Sequence, residues 1–277
     1  MLNHNGQLKS INSVLEISLL INHLESIRYT ETVRVKDNKI FFWDIHYFNL
    51  MAFLRLARVD IPEKFSMDYL KSEVLKTLKS PYDQYLVDIH FTINPKKIGT
   101  ETTEVDFFIV PNKQNNLKSF STGHETDVYD ELRIISNPLA NQTNFNRLVF
   151  DIATVYGAEN NLNSVILINQ DRHIVESNEG TLFLYNKTKD RMLTPSLESG
   201  CRNLALRSDF IDYLNRSTNI QLTVGYIETH TLKKVDEIFA LSIEKGITNI
   251  SLYRGSYYSA VEVEKLFKNY LIKRGLV

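Results

Sequence analysis

Few side chains in this chain stand at a spacing that makes chemistry. No Cys-x-x-Cys or His-Glu-x-x-His pattern supplies metal ligands. No P-loop and no Gly-x-Gly-x-x-Gly turn is present to cradle a phosphate. The one cysteine, Cys201, sits just before a predicted helix. A helix N-terminus lowers a thiol pKa and could make a nucleophile, but a small buried apolar role is the plainer reading. His46 opens another helical pattern, where it serves either as a base or as a residue that caps or packs the helix. His90, His124, His173 and His230 share no spacing and read as surface or structural.

The elements that must position these residues follow from periodicity. Thr32–Val35 and Ile40–Trp43 flank an Asp-Asn turn, which predicts a hairpin. Leu50, Phe53, Leu54 and Ala57 share one helical face, expected to end at Pro62. Ser66 is placed to cap a helix carrying Leu70, Val74, Leu75 and Leu78. Strands are expected at 85–92, 105–110, 128–135, 165–168, 173–176, 181–185, 191–193, 238–241 and 250–253. Three more helical stripes are Phe145/Leu148/Val149/Ile152/Tyr156, Leu206/Phe210/Ile211/Leu214 and Val263/Leu266/Phe267/Leu271. Without strict alternation of strand and helix, the pattern implies an α+β fold in two lobes. The run from Pro111 to Glu125 is polar and poor in core residues. The lobes are therefore expected at 1–115 and 126–277, with a linker at 116–125.

Composition narrows the class. With 277 residues, 43% of them apolar, there is enough material for one or two domains. The 32 basic and 33 acidic residues nearly cancel, so no nucleic-acid partner is expected. No run of about 20 apolar residues suggests a membrane span. The start of the chain lacks the basic and apolar regions of a signal peptide. Together with the lone cysteine, this gives an expected cytoplasmic location.

Three stretches, in order, resemble the fold-type IV family of pyridoxal phosphate (PLP) enzymes, the class IV aminotransferases. Glu31-Thr32-Val33-Arg34-Val35 followed by His46-Tyr47-Phe48-Asn49-Leu50 is similar to a Phe-Glu-Thr-Leu-Arg strand and a His-x-x-Arg-Leu helix start. Val175-Glu176 through Thr181-Leu182-Phe183 resembles Val-x-Glu-x-x-x-x-Asn-Leu-Phe. Thr194-Pro195-Ser196-Leu197 through Gly200 to Arg207 resembles Thr-Pro-x-Leu-x-x-Gly-x-Leu-x-Gly-Ile-x-Arg. Val235-Asp236-Glu237-Ile238-Phe239 adds a weaker match. The resemblance, closest to aminodeoxychorismate lyase and branched-chain aminotransferase, implies a small α/β N-terminal lobe and a larger C-terminal pseudo-barrel. It also implies a cofactor site between the lobes, and a homodimer.

The residues that such a site needs are the ones this chain changes. The family holds PLP as an imine on a lysine. Counting back from Glu176 without a gap puts Thr143 at that position, and no lysine occurs between Lys118 and Lys187. The arginine of His-x-x-Arg-Leu, which the family uses to grip the phosphate, is Asn49. A charge-assisted bond is worth roughly 1.5–3 kcal/mol, so this loss alone weakens binding about ten- to a hundredfold. The glycine-led phosphate turn reads Leu204-Ala205-Leu206, and leucine restricts the close approach and positive φ that glycine permits. The family asparagine of the second motif is Thr181. Glu176 keeps the place of the carboxylate that pairs with the protonated pyridine nitrogen. Without PLP it reads as a hydrogen-bonded or solvated acid at a strand end. Arg207 ends the last motif and is read as one half of a helix-surface ion pair.

Three expectations follow. The chain has lost PLP and its transaminase or lyase chemistry, and reuses the cleft near Asn49, Thr143, Glu176, Thr181 and Leu204–Leu206 for another small molecule or a cofactor-independent reaction. Alternatively, it remains a PLP enzyme with a displaced lysine, for which Lys118 is the best placed. In a third reading it is a non-catalytic partner of an active paralogue.

Overall fold

Alternation of apolar and polar residues builds the first half of the molecule. The computed structural model describes residues 2–10, 26–80, 82–94, 105–114 and 120–276, and divides the chain into two units, Met1–Leu117 and Lys118–Val277. In the first unit, strands β1 (Leu2–His4), β2 (Gln7–Lys9), β3 (Ile27–Lys36), β4 (Lys39–Ile40), β5 (Gln84–Ile93) and β6 (Val105–Gln114) form an antiparallel sheet in the order β2-β1-β6-β5-β3-β4. Val33, Val35, Val87, Ile89, Phe91, Phe107 and Ile109 alternate along their strands and are buried together. Helices α1 (Trp43–Leu56) and α2 (Met67–Lys76) add Leu50, Phe53, Leu54, Leu70 and Val74 to the same core. At 25 cal/mol per Å2, each of these larger side chains contributes about 1.5–3 kcal/mol on burial.

The predicted hairpin forms where expected, with Val35 opposite Ile40. Asp37 and Asn38 both take positive φ (49° and 58°), as a two-residue turn of this hand requires. Its second strand is shorter than predicted, because Trp43 already begins α1. That helix stops at Leu56, well before Pro62, since Arg58 turns left-handed (φ 59°) and the Val59 N–H bonds back to Leu54 O. Ser66 caps α2 as predicted: its Oγ accepts the Tyr69 N–H at 3.2 Å.

The second unit is a nine-stranded mixed sheet. Its strands are β7 (Phe120–Ile134), β8 (Ser164–Asn169), β9 (Ile174–Ser177), β10 (Thr181–Asn186), β11 (Arg191–Pro195), β12 (Gln221–Gly225), β13 (Glu237–Ser242), β14 (Gly246–Tyr253) and β15 (Ser256–Tyr257). The order is β12-β11-β10-β13-β14-β7-β8-β9, with β15 on β14. Strands β8, β9 and β13 are buried along their whole length, on both faces. Helix α3 (Arg147–Glu159) lies against β7 and β8, and α4 (Ala205–Ser217) against β12 and β13. Helix α5 (Val261–Arg274) packs on β13. Phe183, Phe210, Phe239, Phe267 and Tyr270 interlock between sheet and helices, Phe183 and Phe239 stacking at 5.2 Å.

Two sequence expectations are corrected. The division between the units, after Leu117, falls inside the stretch read as a linker, but the described residues of that stretch are strand. Strand β6 runs through Pro111 to Gln114, and β7 begins at Phe120, pairing in parallel with β14 (Phe120 opposite Ile247). Pro111 is tolerated because β1 pairs with β6 only at Phe108 and Ile109. Residues 115–119, Lys118 among them, lie outside the described part. On and just before α3, Phe145, Leu148 and Ile152 are exposed, while Ala153 and Gly157 are the buried positions. Of the predicted stripe, Val149 and Tyr156 do pack against the core, partly buried, whereas Phe145, Leu148 and Ile152 turn away from it.

Candidate functional site

The site grows from two adjoining pieces of the second unit. Strand β9 ends in a tight reversal, Ser177 bridging Gly180, before β10 begins. Gly180 takes φ 140°, and any Cβ there would collide with the Leu241 carbonyl. The bridge sets a register in which Glu176 and Thr181 stand opposite one another. Both are fully buried. The second piece is the loop from Gly200 to Leu204, which delivers the chain into α4. Gly200 (φ 96°) seats its bare Cα close to Ile134. Asn141 holds the loop from the side, donating to the Leu197 and Cys201 carbonyls at 2.8 and 2.7 Å and accepting from the Asn203 N–H at 3.0 Å.

This loop carries Arg202 onto Glu176. The Arg202 Nε donates to Glu176 Oε1, and the guanidinium lies 4.3 Å from the centre of the Phe150 ring. The other oxygen, Glu176 Oε2, is buried with no hydrogen-bond partner among the described residues, as is Thr181 Oγ1. Arg207 is also buried, at 5% exposure. One of its terminal nitrogens donates to the Pro195 carbonyl at 2.8 Å, while its Nε has no partner among the described residues. This corrects the expectation of a surface ion pair: α4 turns that face inward, onto the end of β11.

Burial pushes the Glu176 carboxyl above the usual carboxylate range, and the charges of Arg202 and Arg207 partly oppose the rise. Cys201 is fully buried, and its thiol is pushed up to about 12, first by burial and then by the Glu176 charge. The helix start next to it does not make it a nucleophile. Leu204 caps α4 without a side-chain bond, and Ala205 and Leu206 are buried. Thr143 lies in a run of turns before α3, half-buried, with its hydroxyl donating to Asn144 Oδ1 at 3.2 Å. All eight lysines described in this unit are exposed.

The first-unit residues form their own cluster. The Glu31 carboxylate is buried and accepts from the Tyr29 hydroxyl, from His46 Nδ1 at 2.6 Å and from Asn49 Nδ2 at 3.3 Å. His46 is therefore a packed residue of the helix start, with Nε2 buried and lacking a partner among the described residues. Asn49, which the sequence match aligns with the family's arginine, is engaged with Glu31. The remaining histidines do not gather. Among the described residues no group of three or more His, Cys, Asp or Glu side chains could hold a metal ion. No described helix is long and apolar enough to cross a membrane.

Arg202 was not singled out from the sequence, although a signal was there. It occupies the second leucine of the Thr-Pro-x-Leu-x-x-Gly-x-Leu motif. A charge in an apolar slot beside a buried acid is a recognisable sign of a pair.

Known proteins share this fold. The chain superimposes on the branched-chain aminotransferase of Thermoproteus uzoniensis solved with norvaline, with a TM-score of 0.81 at 18% identity, covering 99% of this chain and 95% of that one. It matches the 4-amino-4-deoxychorismate lyase of Pseudomonas aeruginosa with a TM-score of 0.77 at 15% identity, covering 99% and 98%. The PLP-bound branched-chain aminotransferase of Thermobaculum terrenum gives 0.82 at 15% identity, covering 100% and 94%. These likenesses establish the fold, α+β of fold type IV. No curated protein sequence matches the chain. The family model "Amino-transferase class IV" matches residues 29–253, which reach into both sheets and include every residue of the two clusters above, and the chain therefore belongs to the class IV aminotransferase family.

Proposed function

We propose that this class IV aminotransferase-family protein no longer anchors PLP covalently, and that it uses the surroundings of Glu176 to bind another small molecule or to run a reaction without that cofactor. The observation that carries the reading is Arg202 on Glu176: the acid that would receive a protonated ring nitrogen already holds a cation of the protein's own. The residues at the matched positions suit an imine poorly. Thr143 offers a hydroxyl, which forms no carbon–nitrogen double bond, and the described lysines of the second unit point to solvent. Asn49 brings no charge to a phosphate and is engaged with Glu31.

One observation favours a second reading, a working PLP enzyme with a lysine brought from elsewhere, such as Lys118. Glu176 Oε2 is buried without a described partner, and a protonated pyridine nitrogen would satisfy it. Incubation with PLP, borohydride reduction and peptide mapping separate the two. The first reading expects no absorbance band of an imine and no pyridoxyl-lysine. A stoichiometric pyridoxyl adduct on any lysine overturns it, and an adduct on Lys118 would establish the second.

A further inference from the structure

The pair at the centre of the site suggests how its ligand preference has changed. A buried carboxylate favours a cation only while it lacks one. Glu176 is fully buried, and Arg202 reaches it with an N–H donor on one oxygen. Arg207, also buried, adds its positive charge to the field at the same carboxyl. The carboxyl thus already has a cation of its own chain in contact, with a second one buried nearby. A further protonated nitrogen brought to Glu176 would meet like charge on arrival. Arg202 is also not free to give way easily. Its guanidinium stacks on Phe150, and Asn141 fixes the backbone on either side through Cys201 O and the Asn203 N–H.

We propose that Arg202 is the residue that determines ligand choice at this site. It takes the place against Glu176 that a protonated heterocyclic nitrogen needs, and so excludes such ligands. What can still satisfy Glu176 Oε2 and the Thr181 hydroxyl is a neutral N–H or O–H donor, on a molecule whose other groups are neutral or anionic. This rests on the reading of Glu176 given above, but not on the absence of an imine.

The test uses a probe that cannot form an imine. Pyridoxine 5′-phosphate has the protonatable ring and the phosphate but no aldehyde. Its binding to the full-length protein is measured by intrinsic fluorescence near pH 6, in the wild type and in Arg202→Leu, Arg202→Gln and Arg202→Leu/Glu176→Gln variants. Arg202→Gln keeps a polar side chain of moderate length over Phe150 and guards against misfolding of the leucine variant. The expected result is that both single variants bind the probe at least tenfold more tightly than the wild type, and that the double variant loses the gain. Wild-type binding as tight as that of the single variants would overturn the proposal. So would a gain that persists without the Glu176 charge. A pyridoxyl-lysine in the reduction experiment would defeat the cofactor-free reading while leaving this result to stand or fall by itself.

Discussion

Removing Arg202 while leaving Glu176 in place should be among the most damaging single changes in the second unit. In Arg202→Leu the leucine still covers Phe150, so little apolar burial is lost. What is lost is the donor on Glu176 Oε1 and the cation near a carboxylate with no solvent exposure. Breaking a buried ion pair from one side costs roughly 3–5 kcal/mol, because a charge is left without compensation. The Arg202 side chain keeps 20% of its exposure, so solvent screens the pair and the cost falls toward the lower end, about 3 kcal/mol at pH 7. Against a total stability of about 5–15 kcal/mol, that is a large fraction. The loss has a sign in pH. The Glu176 carboxyl already titrates above its ordinary value because of burial, and Arg202 is first among the groups that restrain it. Without Arg202 it rises further. An acid whose pKa is higher in the folded than in the unfolded state favours folding at pH below the unfolded value, and that contribution is lost as pH climbs through the folded value. The deficit of Arg202→Leu should therefore be greatest at neutral pH and shrink as pH falls toward about 4–5. Adding Glu176→Gln removes the stranded charge and should return stability to within about 1 kcal/mol of the wild type, with no comparable slope. Urea unfolding followed by circular dichroism between pH 5 and 8 reads all of this. A deficit below about 0.5 kcal/mol, or one that does not change with pH, would refute the account of a stranded buried carboxylate.

Other residues make independent predictions. Gly180→Ala should destabilise by more than about 2 kcal/mol, since φ 140° disfavours any side chain and the Cβ has the Leu241 carbonyl in its way; thermal unfolding of the variant measures it. Ser66→Ala should cost about 1 kcal/mol through loss of the bond from the Tyr69 N–H, and a denaturation midpoint shift checks that. Cys201, buried and with its thiol pushed up to about 12, should stay protonated and unreactive toward a thiol reagent at pH 8 in the folded protein, and react promptly once unfolded. Rapid labelling of the native state would contradict its burial.

Much of the architecture was legible because it is local. The Asp37-Asn38 turn, the Ser66 cap and the alternation along β5 are each decided within a few residues, by backbone stereochemistry, one hydrogen bond or the two-residue period of a strand. Motif order did the rest for the family, and Thr143 at the counted lysine position is a matter of residue type, which no packing alters. Other features escaped because they depend on partners distant in sequence. The polar stretch after Pro111 reads as a linker until β5 and β14 supply strands to pair with. The stripe on α3 reads as core throughout, but the packing of β7 and β8 keeps only Val149 and Tyr156 of it against the core and buries Ala153 and Gly157. Arg207 looks like a surface cation in its own helix, and only the position of Pro195 turns it inward. Arg202 and Glu176 are 26 residues apart, and nothing in the neighbourhood of either fixes that they meet. Sequence by itself determined which groups were available: a glutamate at 176, a threonine at 143 and no lysine between Lys118 and Lys187. Only the tertiary structure decided that the acid has a cation from its own chain, because desolvation and ion pairing depend on what surrounds a charge in space, and the order of residues along the chain does not fix that.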